Sequence, residues 1–243
     1  MDEELYGRFY EIESTHWWFA ARRFILLRYL RRQVAPGSRP LLLDAGCGTG
    51  AILAEASRDF NACGMDTSPT AIAFCRSRGL TSVRVCTLNE YPTDQLFDII
   101  MLLDVIEHTP DDQEILRQAH LRLRREGHLL ITVPAYRWLW STHDVKNHHY
   151  RRYTARQVRR VVRDSGFAVT HLSYFNTLLF PLAAVRRLGS KLFSCSAGDE
   201  FAFPPHWLNA LLNVIFKTEG YVLPHISLPF GLSVFCWATK ADA

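Results

Sequence analysis

Apolar residues along the chain fall into short continuous runs separated by segments of helical periodicity. The runs occupy residues 41–44, 62–65, 83–86, 99–103 and 128–133. Continuous apolar runs of this length are typical of parallel strands that are covered on both faces. Helices are predicted between and after them, at 50–58, 69–78 and 111–124. This alternation predicts a doubly wound α/β sheet.

The pattern continues beyond the fifth run with one more helix and two more strands. Thr154 is a predicted helix N-cap and Gly166 a predicted stop, and strands are expected at 167–175 and 232–239. With 243 residues and 48% hydrophobic content, the chain suits a single sizeable domain. We predict a helical cap at 1–39, a core at 40–175 and 232–240, and a helical insert or lid at 176–231.

The first apolar run ends in a glycine-rich turn, LLLDAGCGTG at 41–50. Glycine at positions 46, 48 and 50 allows positive φ and lets a ligand approach the backbone and the N-terminus of the next helix. This predicts a phosphate-like or nucleoside-binding turn. Gly46, Gly48 and Ala51 also satisfy the dinucleotide fingerprint, with Asp66 about 20 residues further on, so a nicotinamide-dependent oxidoreductase is an alternative.

Acidic residues at the ends of neighbouring strands favour another cofactor. Asp44 closes the first strand, where a buried carboxylate can receive a cationic or amino group, and Asp66 closes the second, where it can accept ribose hydroxyls. The segments LLLDAGCGTG, GMDTSPTAIAFCRSRG, FDIIMLLDVIEH and GHLLITVP follow in this order between residues 40 and 134. In this combination and spacing, the chain resembles class I S-adenosylmethionine-dependent methyltransferases.

The resemblance implies a Rossmann-like, mostly parallel seven-stranded sheet whose last strand is antiparallel. It also implies S-adenosyl-L-methionine as the cofactor, held by Asp44, Gly46, Cys47, Gly48, Gly50, Asp66, Thr67, Thr87, Leu88, Asp104 and Val105. Where the family commonly has an acid that binds the adenine amino group, this chain has Thr87. A backbone N–H, the Thr87 hydroxyl or Asn89 is left to make that contact. Glu107 and His108 are expected to cap and orient their loop.

The candidate catalytic residues lie in the segment PAYRWLWSTHDVKNHHYRRYT at 134–154, which follows the fifth strand. Open α/β sheets bind their ligands at this end of the strands. His143 and His149 are candidate general bases, and Asp144 is expected to orient one of them or to hold a substrate hydroxyl. A purely structural role is the alternative for each histidine. No cluster of His and Cys residues has the spacing of a metal site, and the H-D-x-x-x-x-H stretch at 143–149 could bind a divalent ion only with further ligands. This segment and HWWF at 16–19 resemble a bacterial subgroup associated with glycan and lipid-linked pathways.

The N-terminal segment 6–32 predicts two helices across the mouth of the glycine site. Neighbouring residues on a helix point about 100° apart, so one of Trp17 and Trp18 can cap the pocket, unless both merely pack. Arginines occur in pairs, which we interpret as solvated helix faces rather than phosphate sites: Arg22, Arg23, Arg31, Arg32, Arg151, Arg152, Arg159 and Arg160. The net charge of +4 is spread over several segments, and no nucleic-acid partner is expected.

Cysteine usage and the termini predict a cytoplasmic protein, with contact to a membrane surface left open. The six cysteines form no C-x-x-C pair, which fits a reducing compartment. The N-terminus is acidic and lacks the apolar core of a signal peptide. The longest uncharged stretch, 221–239, contains Pro224, Pro229 and Gly231, which argue against a membrane-spanning helix.

The insert between the last two strands bears on the acceptor. Segments 176–193 and 207–216 are apolar, with Arg186, Arg187 and Lys191 placed to meet anionic headgroups or a diphosphate. They favour a small or lipid-linked acceptor, unless they only close a second hydrophobic core. Whether oxygen, nitrogen or carbon is methylated stays open. A catalytically silent module that binds S-adenosylmethionine or docks on membranes is a further alternative.

Overall fold

The computed structural model describes residues 3–92, 95–192 and 203–241, with the backbone alone for 188–192. The strands are β1 (Leu41–Ala45), β2 (Asn61–Asp66), β3 (Val83–Val85), β4 (Phe97–Leu103), β5 (Leu123–Pro134), β6 (Phe167–Phe175) and β7 (Ser233–Lys240). The helices are α1 (Glu3–Ile12), α2 (Trp17–Arg32), α3 (Ala51–Ala56), α4 (Pro69–Ser77), α5 (Asp112–Arg122), α6 (Thr142–Lys146), α7 (Ala155–Asp164), α8 (Phe180–Leu192) and α9 (His206–Val222).

The seven strands form one sheet in the order β3-β2-β1-β4-β5-β7-β6. Strands β1 to β5 are parallel, and β7 is antiparallel to both of its neighbours. The predicted fold class, including the antiparallel last strand, is confirmed. At β5 the boundary differs by several residues: the chain enters β5 at Leu123, which pairs with Phe97 across a bulge, so the preceding helix ends earlier than predicted.

Two hydrophobic clusters cover the two faces of the sheet. Helices α5 and α7 pack on one face through residues such as Leu116 and Val162. Helices α2 and α9 cover the other face, where Ile25 and Phe216 are fully buried. The first helices are therefore more than a cap, because α2 supplies part of the core.

Local signals explain where the helices begin and end. The Ser68 hydroxyl accepts the Ala71 N–H and Pro69 occupies the first turn of α4, where a missing N–H costs nothing. Thr154 and Gln157 form a reciprocal capping box at the start of α7. Gly166 follows that helix with φ of +90°, the left-handed conformation that ends helices.

The described parts of the region between β6 and β7 contain the two helices α8 and α9, in agreement with the predicted helical insert. Its first apolar segment becomes α8, whose end at Leu192 precedes Phe193, a residue outside the described part of the chain. The side chains of Leu188, Lys191 and Leu192 lie outside it as well. In the ranges that the structure describes, no helix has both the length and the apolarity to cross a bilayer. Five cysteines are free, and Cys195 lies outside the described ranges.

Candidate functional site

A cavity of about 1400 Å³ opens at the carboxyl ends of β1 to β5. Strands β1 and β4 are neighbours at the point where the strand order reverses, and the loops that follow them both line this cavity. Open α/β sheets bind ligands at such a crevice. The topology therefore brings together the glycine turn after β1 and the 104–108 loop after β4.

The glycine turn has the backbone conformation that its sequence predicts. Gly46, Gly48 and Gly50 have φ of +87°, +53° and +84°. A Cβ on Gly46 would lie 2.6 Å from Val105 Cγ2, so this position tolerates no side chain, whereas a Cβ on Gly48 would meet open space. The N–H groups of Gly46 and Cys47 donate to the Met65 carbonyl at 2.8 and 2.9 Å, which ties the turn to β2.

Two buried acids flank the turn. Asp44 is 3% exposed and lines the cavity, and burial raises its pKa to about 7 although the charge of Arg22 opposes the rise. Asp66 accepts the N–H groups of Gly48 at 3.0 Å and Ser68 at 2.9 Å. Burial raises the pKa of Asp66, and these backbone hydrogen bonds oppose that rise. Both carboxylates border the space expected for the cofactor.

Asp104 follows β4 with φ of +56° and holds a buried arginine. Arg22 Nη2 lies 2.9 Å from Asp104 Oδ2, and the Thr132 hydroxyl donates to Asp104 Oδ1 at 3.0 Å. The Arg22 guanidinium also stacks over Trp18, 5.3 Å from the ring centroid. Arg22 is only 7% exposed, so the prediction of a solvated face was wrong for this residue. Pairing of arginines in sequence does not reveal which side of α2 faces the cavity.

Both tryptophans of HWWF line the cavity, and each also packs. Trp17 makes an edge contact with Phe216 at a centroid distance of 6.1 Å, while Trp18 lies under the Arg22 guanidinium. The two predicted roles, capping and packing, are thus combined rather than exclusive.

The loop after β3 carries the predicted adenine contact. The Thr87 hydroxyl donates to the Glu90 carboxylate at 2.8 Å, and the Thr87 N–H donates to the same oxygen at 3.1 Å. Both groups are therefore already engaged in a local turn. Leu88 is buried and Asn89 is exposed, and both line the cavity. Of the candidate groups, the Asn89 side chain takes no part in the hydrogen bonds that the structure describes for this turn.

In the same cavity as the glycine turn, two segments distant in sequence bring a carboxylate and two imidazoles together. Glu107 and His108 belong to the short 3-10 turn Ile106–His108, and His149 follows α6. The rings of His108 and His149 meet edge to face with centroids 4.5 Å apart. One donor atom from each of the three residues lies within 4.8 Å of the others. The prediction that Glu107 and His108 only cap the loop did not anticipate this cluster.

The protonation states within the cluster follow from its burial. Glu107 is fully buried, which raises its pKa well above the usual range, and the charge of Asp104 adds to the rise. Its own backbone N–H opposes the rise, yet neither carboxylate oxygen has a hydrogen-bond partner within the described ranges. Burial, followed by the neighbouring His149, lowers the pKa of His108 to about 4, so this imidazole is neutral.

Asp144 orients His149 from behind the cavity wall. It is fully buried and accepts His149 Nδ1 at 2.8 Å and Arg152 through two bonds, from Nε at 2.7 Å and from Nη2 at 2.9 Å. Burial alone would raise the pKa of Asp144, but the hydrogen bonds from His149 and Arg152 outweigh it and hold this pKa well below its usual range. Of its two predicted roles, the geometry fits orientation. Arg152 is 8% exposed, so the solvated-face prediction was wrong here too.

His143 also lines the cavity but lies further from the cluster. Its ring is 6.1 Å from that of His149, centroid to centroid, and the Asn147 amide approaches its Nδ1 at 3.1 Å. The remaining predicted cofactor residues that line the cavity are Cys47, Thr67 and Val105, together with Gly46 and Gly48. Gly50 is outside that lining; a Cβ there would lie 2.7 Å from Cys75 Sγ, so it shapes the turn by packing against α4.

Part of this chain is similar to a curated relative. A curated relative, the ubiquinone biosynthesis O-methyltransferase of Marinobacter nauticus, is 25% identical over 143 residues, which are 51% of this chain and 59% of the relative. The chain thus spans less than two thirds of the length of this relative.

Two solved structures share the fold. A SAM-dependent methyltransferase from Thermotoga maritima has a TM-score of 0.58 at 15% identity, covering 98% of this chain and 95% of that one. The N-methyltransferase NodS from Bradyrhizobium japonicum, solved with S-adenosyl-L-homocysteine, has a TM-score of 0.51 at 18% identity, covering 63% of this chain and 77% of that one. The model of the methyltransferase domain family matches residues 17–172. The chain therefore belongs to the methyltransferase domain family, as a class I member whose cofactor is S-adenosylmethionine.

Proposed function

We propose that this protein transfers the methyl group of S-adenosylmethionine to a hydroxyl oxygen of an apolar, lipid-linked acceptor. The observation that carries this proposal is that one cavity has two unlike walls. One wall is the glycine turn with Asp44 and Asp66, and the other holds His149, which is fixed by Asp144. Cofactor and acceptor can therefore meet in one enclosure, as methyl transfer requires.

The chemistry asks little of the protein beyond alignment and management of one proton. The acceptor oxygen forms a bond to the methyl carbon while the carbon–sulfur bond breaks, and the hydroxyl proton must leave. His149 uses Nδ1 toward Asp144, so its Nε2 is left for the acceptor. General base catalysis of this proton removal typically increases the reaction rate by about 10²- to 10⁴-fold. His143, more than 6 Å away between ring centres, is the second candidate.

Oxygen is proposed as the methylated atom because the relative from Marinobacter nauticus is named an O-methyltransferase. The nicotinamide alternative has less support, because the family model and the relative are both methyltransferases. A silent binding module would retain the glycine turn without needing an oriented histidine, so the pair of His149 and Asp144 favours an enzyme.

The acceptor is proposed to be apolar because α8 and α9 cover the cavity with aliphatic side chains. Leu179 and Leu182 of the α8 region and Leu208 and Leu212 of α9 line it. Leu182 is also 67% exposed, so it lies at the mouth. A small polar substrate would not need such a lining, whereas a hydrocarbon chain is stabilised by about 25 cal/mol for each Å² that it buries.

Exposed apolar residues on α9 and on the segment of α8 with the turn before it further support docking on an anionic lipid surface. They recur at helical spacing, as Leu178, Leu182 and Val185 in one segment and as Trp207, Leu211 and Val214 in the other. Arg186 is exposed beside the first set. The competing prediction, a second hydrophobic core, applies to the opposite face of α9, where Phe216 and Leu223 are buried. The two predictions therefore concern different faces of one helix.

Calorimetry and a transfer assay test the proposed activity. S-adenosylmethionine and its demethylated product should bind more tightly than NAD, and labelled methyl should appear on hydroxyl acceptors that carry a long apolar chain. Tighter binding of NAD would refute the cofactor half. Turnover restricted to amines, or to short polar acceptors at full rate without lipid, would refute the acceptor half.

Flotation with vesicles tests the lipid surface separately. The protein should float with anionic vesicles at low salt, and Trp207→Gln combined with Leu211→Gln should reduce the floated fraction. Leu121→Gln is the matched control, because Leu121 is 73% exposed on α5 and is not part of the cavity wall. Equal flotation of all three proteins, or none with the parent protein, would contradict the docking proposal.

A further inference from the structure

Glu107, His108 and His149 have the composition of a metal-binding site. Two imidazole nitrogens and one carboxylate oxygen lie within 4.8 Å of one another, and all three residues line the cavity. Sites with two histidines and one carboxylate bind zinc or divalent first-row transition metals and leave further positions open for a substrate or water. The spacing along the chain hides this set, because a long segment separates His108 from His149.

The surroundings orient the two rings as metal sites require. Ligating histidines almost always donate their other N–H to a carboxylate or to a backbone carbonyl. His149 directs Nδ1 to Asp144 at 2.8 Å, and the His108 ring hydrogen-bonds the backbone of Asn147. Each ring is thus fixed through one nitrogen, and the other nitrogen is the one that a metal would take.

The carboxylate supplies the second, independent observation. Glu107 is fully buried, and neither of its oxygens has a hydrogen-bond partner among the described residues. Buried acids are normally hydrogen-bonded or paired with a charge, because an unpartnered one loses the solvation that it has in water. The nearest arginines are engaged elsewhere, Arg22 with Asp104 and Arg152 with Asp144. A cation between Glu107 and the two histidines would satisfy this acid.

We propose that Glu107, His108 and His149 bind one divalent metal ion, of the zinc or first-row transition series, which also holds the acceptor hydroxyl. This inference rests on the proposed methyl transfer and gives His149 a more specific task. A bound cation lowers the pKa of a coordinated hydroxyl, so that the proton passes to solvent before transfer. The resulting alkoxide or phenolate oxygen bonds to the methyl carbon as the carbon–sulfur bond breaks, and S-adenosylhomocysteine is left.

Cobalt(II) is the probe, because its visible absorption reports nitrogen and oxygen ligation directly. Full-length protein, stripped of metal by chelation, is titrated with Co²⁺ in the absence of acceptor. We expect one ion per chain with a saturable visible band. Glu107→Gln and His149→Gln should each weaken Co²⁺ binding by about 10- to 100-fold or more. A loss of this size is typical even for the removal of a residue that only hydrogen-bonds to a metal ligand. His225→Asn, which removes an exposed histidine outside the cavity, is the matched control and should bind normally.

Two readouts keep the metal proposal separate from the methyltransferase proposal. Calorimetry of S-adenosylmethionine binding to the metal-free protein should give nearly unchanged affinity, whereas transfer to a hydroxyl acceptor should fall at least about 100-fold and recover with added metal. Full transfer in excess chelator, or Co²⁺ binding that the variants leave unchanged, would overturn the metal site while methyl transfer stands. Specific Co²⁺ binding without any S-adenosylmethionine binding would refute the proposed function while the metal site stands. Circular dichroism checks that Glu107→Gln is folded, and His149→Gln repeats the test from the other segment.

Discussion

The two walls of the cavity are built in opposite ways. The glycine wall consists of the glycine turn with Asp44 and Asp66, and the Asp66 carboxylate in it is held by the Gly48 and Ser68 N–H groups. The histidine wall joins a turn after β4 to a segment after β5, and it depends on buried side-chain charges, chiefly Asp144 and Arg152. A site formed by backbone groups requires only the local conformation of the chain. A site formed by buried charged side chains requires every charge to have its partner in place.

This difference predicts different responses to substitution. Removing one partner of a buried ion pair leaves an uncompensated charge, which costs several kcal/mol. Removing a side chain from the glycine wall should affect the ligand more than the fold, because the hydrogen bonds from the Gly46 and Cys47 N–H groups to the Met65 carbonyl involve no side chain and remain. The following four substitutions and conditions test this contrast.

The largest expected effect is on stability in the histidine wall. Arg152→Ala should lower the free energy of unfolding by about 3–5 kcal/mol, because Asp144 would stay buried without its two bonds from the guanidinium. Arg160→Ala is the matched control: that arginine is 84% exposed in its side chain, and its loss should cost less than about 0.5 kcal/mol. Urea denaturation measures both. Similar losses in the two variants would show that the buried pair is not a structural requirement.

Turnover should separate the two histidines on the same wall. His149→Ala should lower the rate of transfer at least about 10²-fold with nearly unchanged cofactor affinity, because the proton of the acceptor loses its oriented partner. His143→Ala is predicted to have the same effect if His143 is the base. Since His143 contacts Asn147 rather than a buried acid, we expect the smaller loss there. Steady-state rates and calorimetry on both variants decide, and a parallel loss of cofactor binding would mark a histidine as structural.

On the glycine wall, Asp66→Ala should weaken cofactor binding by about 1–3 kcal/mol through lost charge-assisted hydrogen bonds to the ribose. The free energy of unfolding should change less than in Arg152→Ala. Asp66→Asn keeps one acceptor oxygen of the same shape and should show an intermediate loss. Calorimetry with S-adenosylhomocysteine gives the affinities, and an unchanged affinity in Asp66→Ala would remove this residue from the binding site.

The smallest expected effect is a pH dependence from Asp44. Its pKa is raised to about 7, so the carboxylate is mostly protonated at pH 6 and mostly ionised at pH 8. If it receives the amino group of the cofactor, affinity should rise by about tenfold over this interval. In the cofactor-free protein the sign is opposite: the stability that the raised pKa contributes at low pH is lost as pH rises through about 7. Asp44→Asn should flatten the affinity profile, and a profile that stays steep in this variant would assign the titration to another group.

The sequence by itself determined the order and type of the elements, because strand runs, caps and glycine turns are local. The two predicted strands beyond β5, the N-cap at Thr154 and the positive φ of Gly46 all follow from neighbouring residues. The conformation of the glycine turn was predictable for the same reason, since one strand and one turn carry it. The antiparallel last strand came from family resemblance, since no local pattern specifies the direction in which a strand pairs.

Only the tertiary structure decided which charged residues are buried and which distant ones meet. Arg22 and Arg152 belong to arginine pairs like those on the surface, and nothing in their local pattern separates them from Arg160. Likewise, Glu107 and His149 become neighbours because β4 and β5 are adjacent in the sheet, which directs their following loops to one edge. The local periodicity of the sequence indicates on which face of its own helix or strand a residue lies. Which side chain it meets there is determined by strand order and helix packing.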